Sequence, residues 1–164
     1  FPYCKENIAQ MLTVDDSRLI GAFLNMVENH KMIVENSGLL PVAALDQLDL
    51  KGKKAVLVLS GGNMDVITMS SVVQHGLIQQ DRIFTVSVLL PDKAGELVKV
   101  AAAIADQNGN VIKLEHNQFV SINRNASVEL RITMESYGTN HKQQILKALE
   151  EKGYQPKVVD TKLY

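Results

Sequence analysis

The sequence lacks several features that would assign a protein to a special class. It has no tryptophan and 5% aromatic residues, so aliphatic side chains must build the core. Its single cysteine, Cys4, excludes an internal disulfide and favours a reducing, cytoplasmic setting. No apolar run approaches the roughly 18 residues of a membrane span, and no signal-peptide pattern occurs. The net charge of −1 offers no basic excess for nucleic acid.

The chain begins with Phe-Pro-Tyr-Cys and no methionine, and we expect a piece of something longer. Its 164 residues permit one ordinary domain or two small ones. Cys4 could act as a nucleophile, but no histidine or asparagine pattern around it supports that role. A packed or half-exposed free thiol is the expectation.

The first half alternates helical and extended patterns. Apolar residues three and four apart predict a helix from Asp15 to His30, and a turn signal at Asn36–Gly38 precedes a second helix over Leu39–Leu48. The aliphatic run Ala55–Leu59 is typical of a strand buried on both faces, as in a parallel sheet. The helix after Asn63 can stop at His75-Gly76. Residues 1–80 therefore read as α/β.

The second half has a different order of elements. Alternating and helical patterns predict strand, helix, strand, strand, helix and strand, which is a ferredoxin-like plait with an antiparallel sheet and helices on one face. The boundary between the halves should fall near residues 76–82. The predicted elements are Arg82–Leu90, Glu96–Gln107, Val111–Phe119, Ser127–Glu135, Asn140–Lys152 and Lys157–Val159, with a loop at Asn123–Asn125.

Ser60-Gly61-Gly62-Asn63 lies between the predicted strand and helix of the first half. The residues alone allow a plain turn that needs glycine, or an anion site at a helix N-terminus. A nucleotide site is disfavoured because the chain has neither Gly-Lys-Ser/Thr nor Gly-x-Gly-x-x-Gly. The Ser60 hydroxyl would lie at the carboxyl edge of a sheet, where α/β proteins bind ligands. Glu35 is either a carboxylate beside this site or a surface acid.

Two segments of the second half resemble an ACT domain. The turn between first strand and first helix reads LPDKAGEL, the usual signature of that family, and the second strand reads NVIKLEHNQF, as in the ACT domains of threonine and serine dehydratases. Three segments of the first half are similar to the pyridoxal-phosphate domain of threonine ammonia-lyases: KENIAQMLTVDDSRLIGAFLNMVENHK, MIVENSGLLPVAAL with its Glu-x-x-Gly, and VLVLSGGNMDV.

The resemblance implies the C-terminal part of a threonine ammonia-lyase (threonine dehydratase) of the catabolic type. Residues 1–78 would be the end of a fold-type-II pyridoxal-phosphate domain, and residues 82–164 an α+β ACT regulatory domain. The implied parent is a cytoplasmic homo-oligomer that converts L-threonine, and also serine, by β-elimination; threonine gives 2-oxobutanoate and ammonia. Asn36 and Ser37 depart from the small residues that many relatives carry between Glu35 and Gly38.

The resemblance also implies site residues. In the family, the residue matching Ser60 hydrogen-bonds the pyridine nitrogen of pyridoxal phosphate, which leaves the ring a weaker electron sink suited to eliminating a hydroxyl. The family's Schiff-base lysine lies upstream, and no lysine in residues 1–80 sits in a Ser-Phe-Lys type of motif. This chain alone should therefore have no catalytic residue and no activity. The implied cofactor-binding residues are Ser60, Gly61, Gly62, Asn63 and Glu35.

The ACT half offers a site for an amino-acid effector. Free backbone N–H groups at the turn could bind its carboxylate, Asp92 its ammonium, and the facing strand of a second chain would close the pocket. The sequence does not indicate which amino acid is the effector or whether it inhibits or activates. It does not indicate a preference for threonine over serine either. The four histidines are too scattered for a metal site. A free-standing ACT-type sensing or dimerisation module is the alternative. The implied effector residues are Asp92, Ala94, Gly95, Glu96, Leu97, Asn110, Val111 and Ile112.

Overall fold

The structure is a computed structural model that describes residues 1–117 and 128–162. The chain divides into two compact units, Phe1–Gly76 (unit 1) and Leu77–Tyr164 (unit 2). The predicted loop at 123–125 and the last residues of the predicted second strand, 118 and 119, lie outside the described residues.

Unit 1 is built from helices. A π-helical turn, Met26–His30, continues the second helix, and a 3-10 turn, Leu45–Gln47, follows the third. Phe23 and Leu39 are fully buried at the centre of its core. The helices are α1 (Pro2–Asn7), α2 (Asp16–Asn25), α3 (Asn36–Ala43) and α4 (Val66–Gln79), the last of which runs past the unit boundary.

The predicted buried strand at Ala55–Leu59 is wrong for this chain. The segment forms neither strand nor helix, and Val56 and Val58 are 92% and 74% exposed. A strand needs a hydrogen-bonded neighbour, and none of the described residues before Ile83 forms a strand. Only Leu59 packs against the core of unit 1. The aliphatic composition predicted a strand covered on both faces, but the described residues contain no neighbouring strand with which this segment could pair.

Two helix boundaries also differ from prediction. Helix α3 begins at Asn36, three residues before the expected Leu39, and Pro41 lies inside it. Gly76 does not end α4, which continues to Gln79. Gly76 is instead a close-approach position, since a Cβ there would lie 2.5 Å from Leu24 Cδ1. The sequence predicted a helix end at Gly76, whereas the structure uses this glycine for close packing against Leu24.

Unit 2 has the predicted β-α-β-β-α-β order. Its strands form one antiparallel sheet in the order β2-β3-β1-β4. The first and third strands therefore lie at the centre, and the sheet places sequence-distant strands side by side as a plait does. The elements are β1 (Ile83–Leu90), α5 (Glu96–Ala105), β2 (Asn110–Asn117), β3 (Val128–Glu135), α6 (Thr139–Glu151) and β4 (Lys157–Val159).

The two faces of the central strands differ in chemistry. Alternate residues of β1 and β3 pack against α5 and α6 in one apolar core, whose members include Val86, Ile104, Leu130, Ile145 and Leu149, all fully buried. The opposite face of the same strands carries hydroxyl and charged side chains. Apolar side chains on one face and polar side chains on the other are typical of a sheet that helices cover on one side only.

Candidate functional site

The Ser60–Asn63 loop lies directly against Glu35. The Glu35 N–H donates to the Gly61 carbonyl at 3.1 Å. Gly61 has φ +80°, and a Cβ built on it would lie 2.3 Å from the Glu35 carboxyl carbon. The left-handed backbone at position 61 favours glycine, and a Cβ there would force the end of the flexible Glu35 side chain to move.

Gly38 gives the loop its second support. A Cβ on Gly38 would lie 1.8 Å from the Ser60 carbonyl oxygen and 2.8 Å from Val34 Cγ1. The Glu-x-x-Gly spacing thus places two different residues against two neighbouring loop residues: Glu35 against Gly61, and Gly38 against Ser60. The motif acts as one packing surface for the loop.

Ser37 contacts the predicted site, although it was not predicted as one of the site residues. Its hydroxyl donates to Glu35 Oε1 at 2.6 Å. The carboxylate is thereby held between the Ser37 hydroxyl and the Gly61 backbone. Serine hydroxyls often bond locally, but the sequence alone does not say to which group.

Asp65 was also missed, and it caps α4 directly after the loop. Its carboxylate accepts from the Thr68 N–H at 2.9 Å and from the Thr68 hydroxyl. The Thr68 side-chain bond, with the backbone bond next, lowers the pKa of Asp65 below its ordinary value. The Asp-x-x-Thr spacing before an apolar helix was the signal for this cap.

An open depression of about 330 Å³ lies between the start of α3 and the start of α4. Two of the predicted site residues, Glu35 and Asn63, line it, whereas Ser60 and both glycines do not. Two carboxylates, two amides and two hydroxyls give it an acidic, polar surface, and no lysine or arginine is among its described lining residues. The lining consists of Glu35, Asn36, Ser37, Asn63, Met64, Asp65 and Thr68.

The predicted effector turn of unit 2 is exposed. Gly95 has φ +93° at the N-terminus of α5, and a Cβ on it would meet no atom within 4 Å. Asp92, Ala94 and Leu97 are exposed. The turn is closed by the Lys93 N–H, which donates to the Pro91 carbonyl at 2.8 Å. Open space therefore lies beside Gly95.

The Glu96 side chain is already bonded within unit 2. Its carboxylate accepts from Lys99 Nζ at 2.7 Å and from the Tyr154 hydroxyl at 3.1 Å. The Lys99 hydrogen bond is the first cause of a lowered pKa for Glu96. Burial, followed by the Glu96 hydrogen bond, raises the pKa of Tyr154 above its ordinary value. This carboxylate ties the start of α5 to the chain before β4.

Glu96→Gln should lower the raised pKa of Tyr154. The variant removes the negative charge that disfavours phenolate, but not the burial, so the pKa should fall only part of the way. Ultraviolet titration can follow this because the chain has four tyrosines and no tryptophan. Glu115→Gln, which changes an acid on β2, is the control, and an equal shift in both variants would contradict the assignment.

The two halves of the predicted effector pocket do not meet within one chain. Asn110 pairs with Glu135, which pairs with Ile83 at the start of β1, whereas the Pro91–Gly95 turn follows the end of β1. Seven residues of strand separate the two ends, which is about 23 Å at 3.3 Å per residue. A pocket made from both halves requires a second chain, and its closure across a dimer stays a prediction.

The β2 strand lies at an edge of the sheet and carries exposed apolar side chains. Val111, Ile112 and Leu114 are 37%, 43% and 41% exposed, and the pairing of β2 with β3 shifts between Val111 and Lys113. An edge strand offers unpaired backbone groups to another chain. Asn110 donates to Glu135 Oε2 at 2.7 Å, which holds its amide on β3.

The open face of the sheet contains a buried carboxylate, Glu129. The Ser87 hydroxyl donates to Glu129 Oε1 at 2.6 Å, and Arg131 Nε donates to the same oxygen at 3.1 Å. Among the described residues Glu129 Oε2 has no partner. The Ser87 bond, ahead of the Arg131 bond, lowers the pKa of Glu129 despite the opposing effect of burial. Its charge is therefore held in place by Ser87.

Ser87→Ala should destabilise unit 2 by about 1.5–3 kcal/mol at neutral pH, the range for a hydrogen bond to a charged group. A carboxyl whose folded pKa is lowered contributes stability above its unfolded pKa, about 4.3 for glutamate. That contribution disappears as the pH falls through the folded pKa. The gap between wild type and variant should thus narrow in acid. Urea denaturation at neutral and acidic pH measures it, and a gap that widens in acid would contradict the assignment.

The described residues also limit other kinds of site. No three histidine, cysteine, aspartate or glutamate side chains gather there in a metal-binding group. No helix in the described part is long and apolar enough to cross a membrane. Cys4 is exposed in α1.

Together, the units define a class: a glycine loop held by a Glu-x-x-Gly helix start, joined to a βαββαβ plait. Relatives with this order of segments exist. The L-threonine ammonia-lyase of Thermotoga maritima is 29% identical over 160 residues, which are 97% of this chain and 40% of the relative. That of Geobacter sulfurreducens is 33% identical over 157 residues, 94% of this chain and 39% of the relative. The predicted resemblance to threonine ammonia-lyases is thereby confirmed.

The chain spans about two fifths of the length of these curated relatives. No protein-family model matches it. Among solved structures, the ACT domain of prephenate dehydrogenase from Bacillus anthracis is 22% identical with a TM-score of 0.35 and covers 44% of this chain and 99% of that one. Prephenate dehydratase from Streptococcus mutans is 21% identical with a TM-score of 0.40, over 46% of this chain and 40% of that one.

Proposed function

We propose that this chain is the C-terminal part of a threonine ammonia-lyase that converts L-threonine, and also serine, by pyridoxal-phosphate-dependent β-elimination. Residues 1–78 would be the end of the catalytic domain, and residues 82–164 an ACT regulatory domain. The observation that carries the proposal is the similarity to two L-threonine ammonia-lyases over 97% and 94% of the chain.

The geometry of unit 1 is compatible with one end of a pyridoxal-phosphate site. The loop at Ser60 is fixed by Glu35 and Gly38, and the depression beside it is polar and acidic. Since no cation is among the described lining residues, this wall suits the ring end of the cofactor and not its phosphate. When bound, the cofactor supplies an electron-withdrawing ring that eases loss of a proton and of the β-hydroxyl.

Each of the predicted cofactor-binding residues, whether or not it lines the depression, has a proposed part. Ser60 would donate its hydroxyl to the ring nitrogen, which keeps that nitrogen neutral. Gly61, whose positive φ favours glycine, would let backbone approach the ring while Gly62 and Asn63 complete the loop. Glu35, oriented by Ser37, would set a negative field at the edge of the ring. The predicted strand does not form, but the loop still contacts Glu35 and Gly38 at the start of α3.

Without a lysine in the family's motif, the chain alone is expected to be inactive. Mixing it with pyridoxal phosphate should give no absorbance band of a lysine adduct at stoichiometric amounts. A stable band would contradict the assignment of the cofactor-bearing lysine to the upstream part of the parent.

Unit 2 is proposed to bind a free amino acid between two chains. Backbone N–H groups at Gly95 and Leu97 would bind its carboxylate, and that of Glu96, which donates to the Lys93 carbonyl at 3.4 Å, would have to leave this bond to join them. Asp92 would face its ammonium, and Asn110–Ile112 of a second chain would close the site. Ala94 belongs to the same turn. The exposed apolar edge of β2 supports pairing of two such units.

Calorimetry with isoleucine, valine, threonine and serine tests this regulatory site. We expect one of them to bind the wild-type chain and to lose affinity in Gly95→Val. Gly153→Val is a matched control, because Gly153 also has positive φ (+87°) and open space around it but lies after α6. Equal losses in both variants, or no heat with any amino acid, would refute the site and leave only dimerisation.

A further inference from the structure

The side of the unit 2 sheet that the helices leave uncovered carries a depression of about 400 Å³. All of its described lining residues belong to unit 2, and none of them is among the predicted effector residues. The depression is therefore a feature of one unit of one chain, distinct from the turn at Gly95. Its lining consists of Thr85, Lys113, Glu115, Arg131, Thr133, Val159, Asp160 and Lys162.

Strand pairing brings these side chains together on one face. Thr133 on β3 lies opposite Lys113 on β2 and opposite Thr85 on β1. Thr85 in turn lies opposite Val159 on β4. Directly paired residues of neighbouring strands place their side chains on the same face of the sheet. The two threonine hydroxyls bond to each other at 2.8 Å and are buried, so the charged side chains around them define the chemistry of the depression.

A buried carboxylate holds the Arg131 guanidinium in place. Arg131 Nε donates to Glu129 Oε1, to which the Ser87 hydroxyl also donates. The Glu129 side chain is 9% exposed, whereas that of Arg131 is 50% exposed. Burial of a carboxylate costs free energy, and Glu129 Oε2 has no partner among the described residues. Because stability alone does not favour such a group, its contact with Arg131 indicates that the orientation of the guanidinium matters.

The remaining donors of Arg131 are available to a ligand. Among the described residues, Nε is the one guanidinium nitrogen with a hydrogen-bond partner. The two Nη groups form an end-on fork that matches a carboxylate. Lys113 pairs with Glu115 at 2.9 Å, whereas the exposed Asp160 and Lys162 have no side-chain ion pair in the part of the chain that the structure describes. The depression therefore offers a fork, a second cation and an unpaired acceptor.

We propose that this depression binds a small carboxylate that also carries a hydrogen-bond donor, either a hydroxyl or an amino group. The Arg131 Nη groups would bind the carboxylate, Lys162 would add a second positive charge, and Asp160 would accept from the donor of the ligand. Glu129 and Ser87 are positioning residues, because they act through Arg131. The inference uses unit 2 alone and does not rest on the proposed function.

Heteronuclear NMR titration of the full 164-residue chain tests this site. The probes are L-lactate and L-alanine, which carry a hydroxyl and an amino group beside the same carboxylate, added at constant ionic strength. L-lactamide has the hydroxyl but no charge, and propionate has the charge but no donor. Inorganic phosphate tests whether any small anion is sufficient.

We expect L-lactate, L-alanine or both to shift the backbone amide signals of Arg131, Thr133 and Val159 along saturable curves. L-lactamide should give no saturable shift, because it cannot form an ion pair with the guanidinium. Propionate should bind about fivefold more weakly than the better probe, as for one lost hydrogen bond. Phosphate should bind more weakly too, because its second negative charge would face Asp160 and Glu115.

Three variants test the assigned contacts. Arg131→Lys keeps the charge but removes the fork, and it should weaken binding of the better probe by about tenfold or more. Asp160→Ala should remove the advantage of that probe over propionate. Lys162→Gln should weaken binding by about threefold, within the range of an exposed charge pair. Lys147→Gln, which changes a lysine of α6 paired with Glu151 at 3.7 Å, is the matched control and should have no effect.

Shifts that grow linearly with every probe would overturn the site, as would tighter binding of phosphate or equal losses of affinity in Lys162→Gln and Lys147→Gln. Protected amides of the β1–β3 ladder report whether the sheet remains folded. If Arg131→Lys disturbed that ladder, Lys162→Gln and Asp160→Ala would decide, because both side chains are exposed. The test uses neither cofactor nor lyase activity, so its failure would leave the proposed function untouched.

Discussion

Gly38→Ala will destabilise unit 1 by about 1–3 kcal/mol, the range for overpacking a well-packed site. Alanine is ordinarily the better helix former by about 1 kcal/mol, so the sign is opposite to that expected from helix propensity. The reason is the 1.8 Å separation between the added Cβ and the Ser60 carbonyl oxygen, a backbone atom that cannot rotate away. The loop must move or α3 must shift.

Gly21→Ala is the matched control for Gly38→Ala. Gly21 also lies inside a helix, α2, but a Cβ there meets nothing within 4 Å. It should stabilise the chain by about 1 kcal/mol. Urea denaturation followed by far-ultraviolet circular dichroism gives both values. If the two substitutions change stability in the same direction, the contact between α3 and the Ser60 loop is not as described.

His141→Ala should destabilise unit 2 by about 3 kcal/mol, because it removes two hydrogen bonds and leaves a cavity. His141 is 9% exposed, its Nδ1 accepts from the Tyr137 N–H at 3.0 Å, and its Nε2–H donates to the Gln107 carbonyl at 2.5 Å. Its ring also stacks on Tyr137 with centroids 4.8 Å apart. One side chain thus joins α6 to the turn after α5.

His116→Ala separates this effect from the general loss of an imidazole. His116 is exposed on the β2 edge, and its removal should change stability by less than about 0.5 kcal/mol. Thermal denaturation should show a fall of about 10 °C or more for His141→Ala and almost none for His116→Ala. Equal falls would contradict the bridging role of His141.

Sequence periodicity predicted unit 2 closely because each of its elements finds its partners within this chain. The alternation over Arg82–Leu90 and the helical spacing over Glu96–Gln107 reflect the same core seen in the structure. The aliphatic run at Ala55–Leu59 has equal strand propensity but no neighbouring strand among the described residues. Propensity indicates what a segment can form, and pairing decides whether it does.

The candidate site was predictable in part. The resemblance named Glu35 and the Ser60 loop together, and the structure places Glu35 against Gly61. No sequence rule indicated that Ser37 would orient the Glu35 carboxylate, because its hydroxyl could have bonded backbone or solvent equally well. Gly76 shows the same limit: a glycine before a connector has the signature of a helix end, yet here it makes room for Leu24.

The most direct test of the central claim is 2-oxobutanoate release from L-threonine by the natural full-length protein that contains this chain, with pyridoxal phosphate present. We predict equal amounts of 2-oxobutanoate and ammonia, and in Ser60→Asp a lower turnover with the cofactor still bound, because a carboxylate would accept a hydrogen bond from the ring nitrogen and hold it in its protonated form. No product from threonine or serine, with amino-acid binding retained, would contradict the account and establish a free-standing sensing module.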